Sequence, residues 1–185
     1  GIENMVKKYV FGTPIETDAV VKEIKESCWK GELFKKEGNT FQYSLKPDEI
    51  VYGLGENVRG MNKRGWRYVS NCSDNPNHCE HTNSLYGAHN FIMMGDGINK
   101  TYGVFVDTPG TVTFDAGYTD IDLLIITVEN EDYKIYLIEG ENYQDVVRQF
   151  REIIGRSYIA PRWAFGYGQS RWSYETADEV REVVK

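Results

Sequence analysis

Positive charge is in short supply in this 185-residue chain: 21 Lys and Arg stand against 28 Asp and Glu, a formal net charge of −7. That balance excludes nucleic acid and anionic membrane surfaces as main partners, because both require clustered cations. No apolar run approaches the roughly 20 residues that span a bilayer, and residues 1–10 hold no apolar signal-peptide core. Cysteine is scarce as well. Cys28, Cys72 and Cys79, without a secretion signal, suit a reducing compartment, so the sequence predicts a cytoplasmic protein without a disulfide framework. Asn71-Cys72-Ser73 and Asn99-Lys100-Thr101 match the glycosylation pattern, which means nothing without secretion. Cys72, His78, Cys79 and His81 lack the close cysteine pair of a structural zinc site, so no metal is expected.

Aromatic residues, in contrast, are plentiful at 14%, with 13 Tyr and 4 Trp. Such rings either fill the core of an all-β domain or offer planar surfaces to sugars; composition by itself favours the core. At 41% hydrophobic and 26% charged residues, the chain has an ordinary globular balance.

Several segments alternate with period two, the mark of half-buried strands. Residues 40–45 are expected to pair with 32–36 across Glu37-Gly38-Asn39. Residues 91–94 and 101–106 flank Gly95-Asp96-Gly97 as a second hairpin, residues 111–114 follow the Pro109-Gly110 turn, and 123–128 with 133–138 form a third hairpin around 129–132. Strands joined by short turns, with no long helix before residue 140, indicate an antiparallel β-sandwich. The period then changes. Val146, Val147, Phe150, Ile153 and Ile154 share one face of a helix over 141–154, with Gly155 as its stop. Residues 163–169 read as a further strand, and Thr176-Ala177-Asp178-Glu179 as a capping box opening another helix. One βα unit of this kind cannot bury its own faces, since parallel strands need neighbours and helices on both faces. The chain therefore divides into a sandwich over 1–156 and the start of a second, truncated domain over 157–185, a tail expected either to dock on the sandwich or to self-associate. Residues 67–89 match neither period. This long, Asn-rich segment carries all three histidines and reads as an anchored loop, of the kind that is often functional.

Val51-Tyr52-Gly53-Leu54-Gly55-Glu56, Asp74-Asn75-Pro76, Leu85-Tyr86-Gly87-Ala88-His89, Tyr102-Gly103-Val104-Phe105 and the run 161–174 follow one another in an order that resembles glycoside hydrolase family 31, most closely its bacterial α-glucosidases. The resemblance covers about residues 51–185. It implies a galactose-mutarotase-like sandwich followed by a (β/α)8 barrel, here only its first βα unit. It also implies retaining hydrolysis of α-linked glucose from oligosaccharides, without cofactor. In such a reaction one carboxylate attacks the anomeric carbon while a second, about 5–5.5 Å away, protonates the leaving oxygen and then activates water. The family's catalytic aspartates lie on later barrel strands, and no match to the nucleophile motif occurs here. The 185 residues alone are accordingly expected to be inactive, with no catalytic residue among them. Asp107, Asp115, Asp120 and Asp122 fall in strands and turns, where turn or solvated-face roles are expected.

Two substrate-side roles are implied by the resemblance. Asp74, in the sandwich loop, would accept hydrogen bonds from vicinal sugar hydroxyls; alternatively it caps an Asx turn before Pro76. Trp172, just past the first barrel strand, would shape the sugar pocket at the C-terminal face of the strands; alternatively it packs between loops. A stand-alone carbohydrate-binding or interaction sandwich without catalysis is the competing reading of the whole chain. A mutarotase-like epimerase using His78, His81 or His89 is a third, for which no acid–base pair is spaced correctly.

Overall fold

The computed structural model describes residues 5–17, 19–31, 33–53, 65–70, 90–154 and 174–176. These form two antiparallel sheets packed face to face, with one helix on the outer face of the first. The five-stranded sheet runs in the order β1 (Met5–Phe11), β10 (Tyr133–Gly140), β7 (Thr101–Asp107), β6 (Phe91–Gly95) and β4 (Ile50–Gly53). The six-stranded sheet runs β11 (Tyr174–Thr176), β5 (Trp66–Ser70), β8 (Val112–Ala116), β9 (Leu123–Val128), β3 (Thr40–Ser44) and β2 (Lys35–Glu37). This is the antiparallel sandwich that the alternation predicts.

The alternation decides which side chains meet. Phe41 and Tyr43 on β3, Leu124, Ile126 and Val128 on β9, and Phe114 on β8 point inwards against Val104, Val106, Tyr133 and Ile135 of the opposing sheet. On the other face of the six-stranded sheet, Gln42 and Ile125 are half-buried, Thr127 is exposed and Asp115 is buried. The central strands β10, β7 and β6 of the five-stranded sheet are largely buried on both faces, and β6 is buried along its whole length. Its outer face is covered by α1 (Tyr143–Ile153), where Phe91, Phe105, Tyr136 and Ile138 meet Val146, Phe150 and Ile153 in a second apolar cluster. Phe91 and Phe150 stack in parallel at 4.0 Å. The helix starts at Asn142, whose side chain accepts from the Asp145 amide (2.8 Å), while Asp145 accepts from the Glu141 amide (3.1 Å). Reciprocal bonds of this kind satisfy amides that a helix start leaves open. Close approach of α1 depends on the absence of side chains at Gly103 and Gly140. A Cβ at either would lie 2.7 Å from a Val146 methyl.

Three sequence-based expectations change. Residues 123–128 and 133–138 do not form a hairpin: β9 pairs with β8 and β3, whereas β10 pairs with β1 and β7 in the other sheet. A strand buried on both faces, as β10 is, needs neighbours on both edges and a cover on both sides, which the centre of the helix-covered sheet supplies. The segment between them, fixed by the Asn130 side chain accepting from the Asp132 amide (3.0 Å), carries the chain across the sandwich. Residues 67–70, expected in a loop, belong to β5, with Trp66, Tyr68 and Ser70 buried in alternation against β8. Met5–Phe11 is a strand that the sequence reading passed over. Its Lys7-Lys8 pair interrupts the apolar signal, while Tyr9 and Phe11 still point into the sandwich beside Trp29.

Between β1 and β2 the chain first crosses the outer face of the five-stranded sheet. There the Val21 amide donates to the Ile153 carbonyl (2.8 Å), and the Ser27 amide returns to the Lys8 carbonyl (2.7 Å) at the sheet edge. The domain boundary expected near residue 156, the strand 163–169 and the helix after Thr176 lie outside the described residues. Tyr174–Thr176, within the tail expected to dock or self-associate, pairs with β5 at the edge of the six-stranded sheet. Thr176, expected as a helix cap, is the last residue of β11, and the helix it would open lies outside the described residues.

Candidate functional site

The two residues singled out for substrate contact, Asp74 and Trp172, lie outside the described residues, as do Cys72, His78, Cys79, His81 and His89. The described strands nevertheless fix where both segments take off. β5 and β11 are antiparallel, with Tyr174 opposite Tyr68 and Thr176 opposite Trp66. The chain therefore leaves β5 at Ser70, four residues before Asp74, at the same end where it enters β11, two residues after Trp172. Ser70 is itself paired with Val112 on β8. The return of the 71–89 segment is at Asn90, buried beside β7. Its amide side chain donates to the Val106 carbonyl (3.0 Å), and the Val106 amide donates back to the Asn90 carbonyl (3.0 Å). One root of the Asp74 segment is thus on each sheet. They flank the 108–111 crossover at one end of the sandwich.

The aspartates Asp107, Asp115 and Asp120 are engaged in structure. Asp107, at the end of β7, is buried and accepts from the Thr17 hydroxyl through both oxygens (2.9 Å each). Burial raises its pKa above the ordinary carboxylate value; the Thr17 bond and the Lys134 ammonium oppose that rise. Lys134 sits opposite Asp107 on β10 and pairs with Glu16 at 3.3 Å. Asp107 therefore pins the 13–17 segment across the sheet, a role other than the turn or solvated face expected of it. The other aspartates meet that expectation. Asp115 accepts from the Tyr118 and Thr119 amides (2.9 and 3.1 Å), and Asp120 accepts from the Asp122 amide (2.9 Å). Among the described residues, no group of three or more His, Cys, Asp or Glu side chains is placed to hold a metal ion.

A concavity opens at the opposite end of the five-stranded sheet, where β1 begins and β10 ends. It has a volume of about 230 Å³. Trp29, Leu33, Tyr102 and Leu137 line it, with Lys7, Lys30 and Glu139 at its margin. Glu139 is held by Lys100, Nζ to Oε2 at 2.7 Å. Trp29 is fixed by edge-to-face contacts with Tyr9 (5.0 Å), Phe41 (5.3 Å) and Phe11 (5.9 Å). Gly31, at φ 71°, turns the chain between Trp29 and Leu33, a backbone state other residues rarely adopt. Sequence reasoning passed over this site. Its one signal was Trp29-Lys30-Gly31, an aromatic beside glycine within a polar stretch.

Residues 12–115 match the Glycosyl hydrolase 31 N-terminal galactose mutarotase-like domain. The chain belongs to glycoside hydrolase family 31. Within family 31 it is 32% identical over 187 residues to an α-glucosidase of Saccharolobus solfataricus, covering 97% of this chain and 27% of that protein. It is 27% identical over 157 residues to an α-xylosidase of the same organism, covering 82% of this chain and 20% of that one. The fold also matches a cycloalternan-degrading enzyme from Trueperella pyogenes, solved with isomaltose: TM-score 0.52 and 20% identity over 69% of this chain and 21% of that one. The chain thus spans about a quarter of the length of the α-glucosidase. Family membership accounts for the sandwich. Among the described residues, no helix is long and apolar enough to cross a membrane.

Proposed function

We propose that these 185 residues are the sandwich, and the opening of the catalytic barrel, of a retaining α-glycosidase of the α-glucosidase type. In this reading they contribute contacts to the substrate, and the nucleophile and acid/base aspartates belong to further barrel sequence. Asp74 accepts hydrogen bonds from vicinal hydroxyls of the sugar at the cleavage point, and Trp172 forms a wall of its pocket. The observation that supports this best is the β5–β11 register: chain leading to Asp74 and chain coming from Trp172 meet the same end of one strand pair. The 32% identity to an α-glucosidase favours glucose; the likeness to an α-xylosidase makes xylose the alternative to test.

The experiment uses the full-length enzyme and this chain side by side on nitrophenyl α-glucoside and α-xyloside. The full-length enzyme is expected to cleave the glucoside faster and this chain to cleave neither. Asp74→Asn in the full-length enzyme should lower kcat/KM by roughly 10- to 100-fold, the range for one charge-assisted hydrogen bond to substrate. Hydrolysis by this chain alone, or an Asp74→Asn enzyme with unchanged kcat/KM, refutes the reading.

A further inference from the structure

We propose that the concavity at the start of β1 binds a single pyranose unit of a neutral saccharide. The inference is independent of the proposed α-glucosidase activity, because the concavity opens at the opposite end of β7 and β10 from the roots of the Asp74 segment.

Size, shape and charge each narrow the ligand. A space of about 230 Å³ falls below the roughly 300–1,000 Å³ of pockets for drug-sized molecules, and suits one sugar ring. Its apolar part is aromatic and rigid. Trp29 is clamped edge-to-face by Tyr9, Phe11 and Phe41, so its ring needs little ordering when a ligand arrives. A pyranose presents a face of C–H groups with partial positive charge, which matches the negative face of an aromatic ring.

The polar part supplies acceptor and donors together. Lys100 holds Glu139 through Oε2, and Oε1 has no hydrogen-bond partner among the described residues. Lys7 and Lys30 are exposed and bring ammonium donors to the margin. Sugar hydroxyls both donate and accept, so a carboxylate beside ammonium groups satisfies them through charge-assisted bonds. A simple anion would face the Glu139 carboxylate. A purely apolar ligand would strip water from charged groups and return no hydrogen bonds.

The test titrates the ¹⁵N-labelled 185-residue chain with methyl α-D-glucopyranoside, with sodium sulfate as an anion control. Saturable shifts are expected at the Lys7, Gly31 and Leu137 amides and at the Trp29 indole N–H, with a millimolar dissociation constant. Glu139→Gln should weaken binding roughly tenfold. Its side chain is at the surface and its backbone carbonyl keeps the bond from Gln149, so the variant should stay folded. Lys30→Ala gives an independent check and should weaken binding in the same direction. Asp74→Ala should leave these shifts unchanged. The proposal is overturned if no saturable shift occurs by about 100 mM sugar, a bound on very weak affinity. It is also overturned if sulfate alone reproduces the shifts, or if they survive Glu139→Gln and vanish in Asp74→Ala. The last outcome would leave the proposed role of Asp74 standing and remove this one.

Discussion

Gly140 and Val146 set how closely α1 rests on the five-stranded sheet, and the consequence of adding one methyl group can be worked out. A Cβ at Gly140 would lie 2.7 Å from Val146 Cγ2, 3.0 Å from Asp145 Oδ2 and 3.0 Å from the Val146 amide nitrogen. Two of those neighbours are a packed methyl and backbone, so the helix itself must shift. Overpacking of this kind costs about 1–3 kcal/mol, and the stiffer unfolded chain offsets about 0.4–1 kcal/mol of it. Gly140→Ala should therefore lose about 1–2 kcal/mol. At a urea m-value of about 1–3 kcal/mol/M, such a loss lowers the unfolding midpoint by roughly 0.3–2 M, readable by tryptophan fluorescence. Val146 is fully buried, and Val146→Ala alone should cost about 2 kcal/mol in lost methyl burial and cavity. The double variant is the decisive one. Removing the Val146 methyls makes room for the new Cβ, so the double loss should fall short of the summed single losses by about 1 kcal/mol. If the two losses add within about 0.3 kcal/mol, the limit for independent sites, the contact is not what holds the helix at this distance.

Two further outcomes test the other connections. Burial raises the folded-state pKa of Asp107 above the 3.8 of an ordinary aspartate. Protonated Asp107 is thus favoured by folding, and its contribution is fully present below about pH 3.8 and lost as pH rises through the higher folded-state value. Urea midpoints measured from pH 3 to 7 should fall for the natural chain relative to Asp107→Asn as pH rises; parallel curves would refute this. Asn142→Ala removes the bond to the Asp145 amide and should cost about 0.5–2 kcal/mol. Hydrogen exchange should then quicken first in the opening turn of α1; unchanged protection there would count against the cap.

The legible parts of the fold were those governed by neighbours in sequence. Gly38, at φ 58°, closes the β2–β3 hairpin where the sequence places its turn. Between β6 and β7, Asp96 accepts from the Ile98 and Asn99 amides and Gly97 takes φ 82°, as a polar, glycine-flanked turn requires. The apolar stripe of α1 is where its spacing puts it. Less was readable in residues 67–70, whose polar continuation into the Asn-rich segment disguised a buried strand. The concavity beside Trp29 was not readable at all. Its margin combines Lys7, Lys30 and Glu139, which come from three distant stretches of chain.

Residue order alone specifies an acidic, aromatic-rich antiparallel sandwich, the turns that close on themselves and the position of its helix. Its ordered motifs also pointed to family 31. These follow from backbone preferences and from the periods with which side chains recur along strands and helices. Long-range packing is what sends β9 and β10 into different sheets, adds Met5–Phe11 to one of them and lays the tail's Tyr174–Thr176 along β5. A period of two says that one face of a strand is buried. It does not say against which partner, because that choice depends on shape and burial across the whole sandwich.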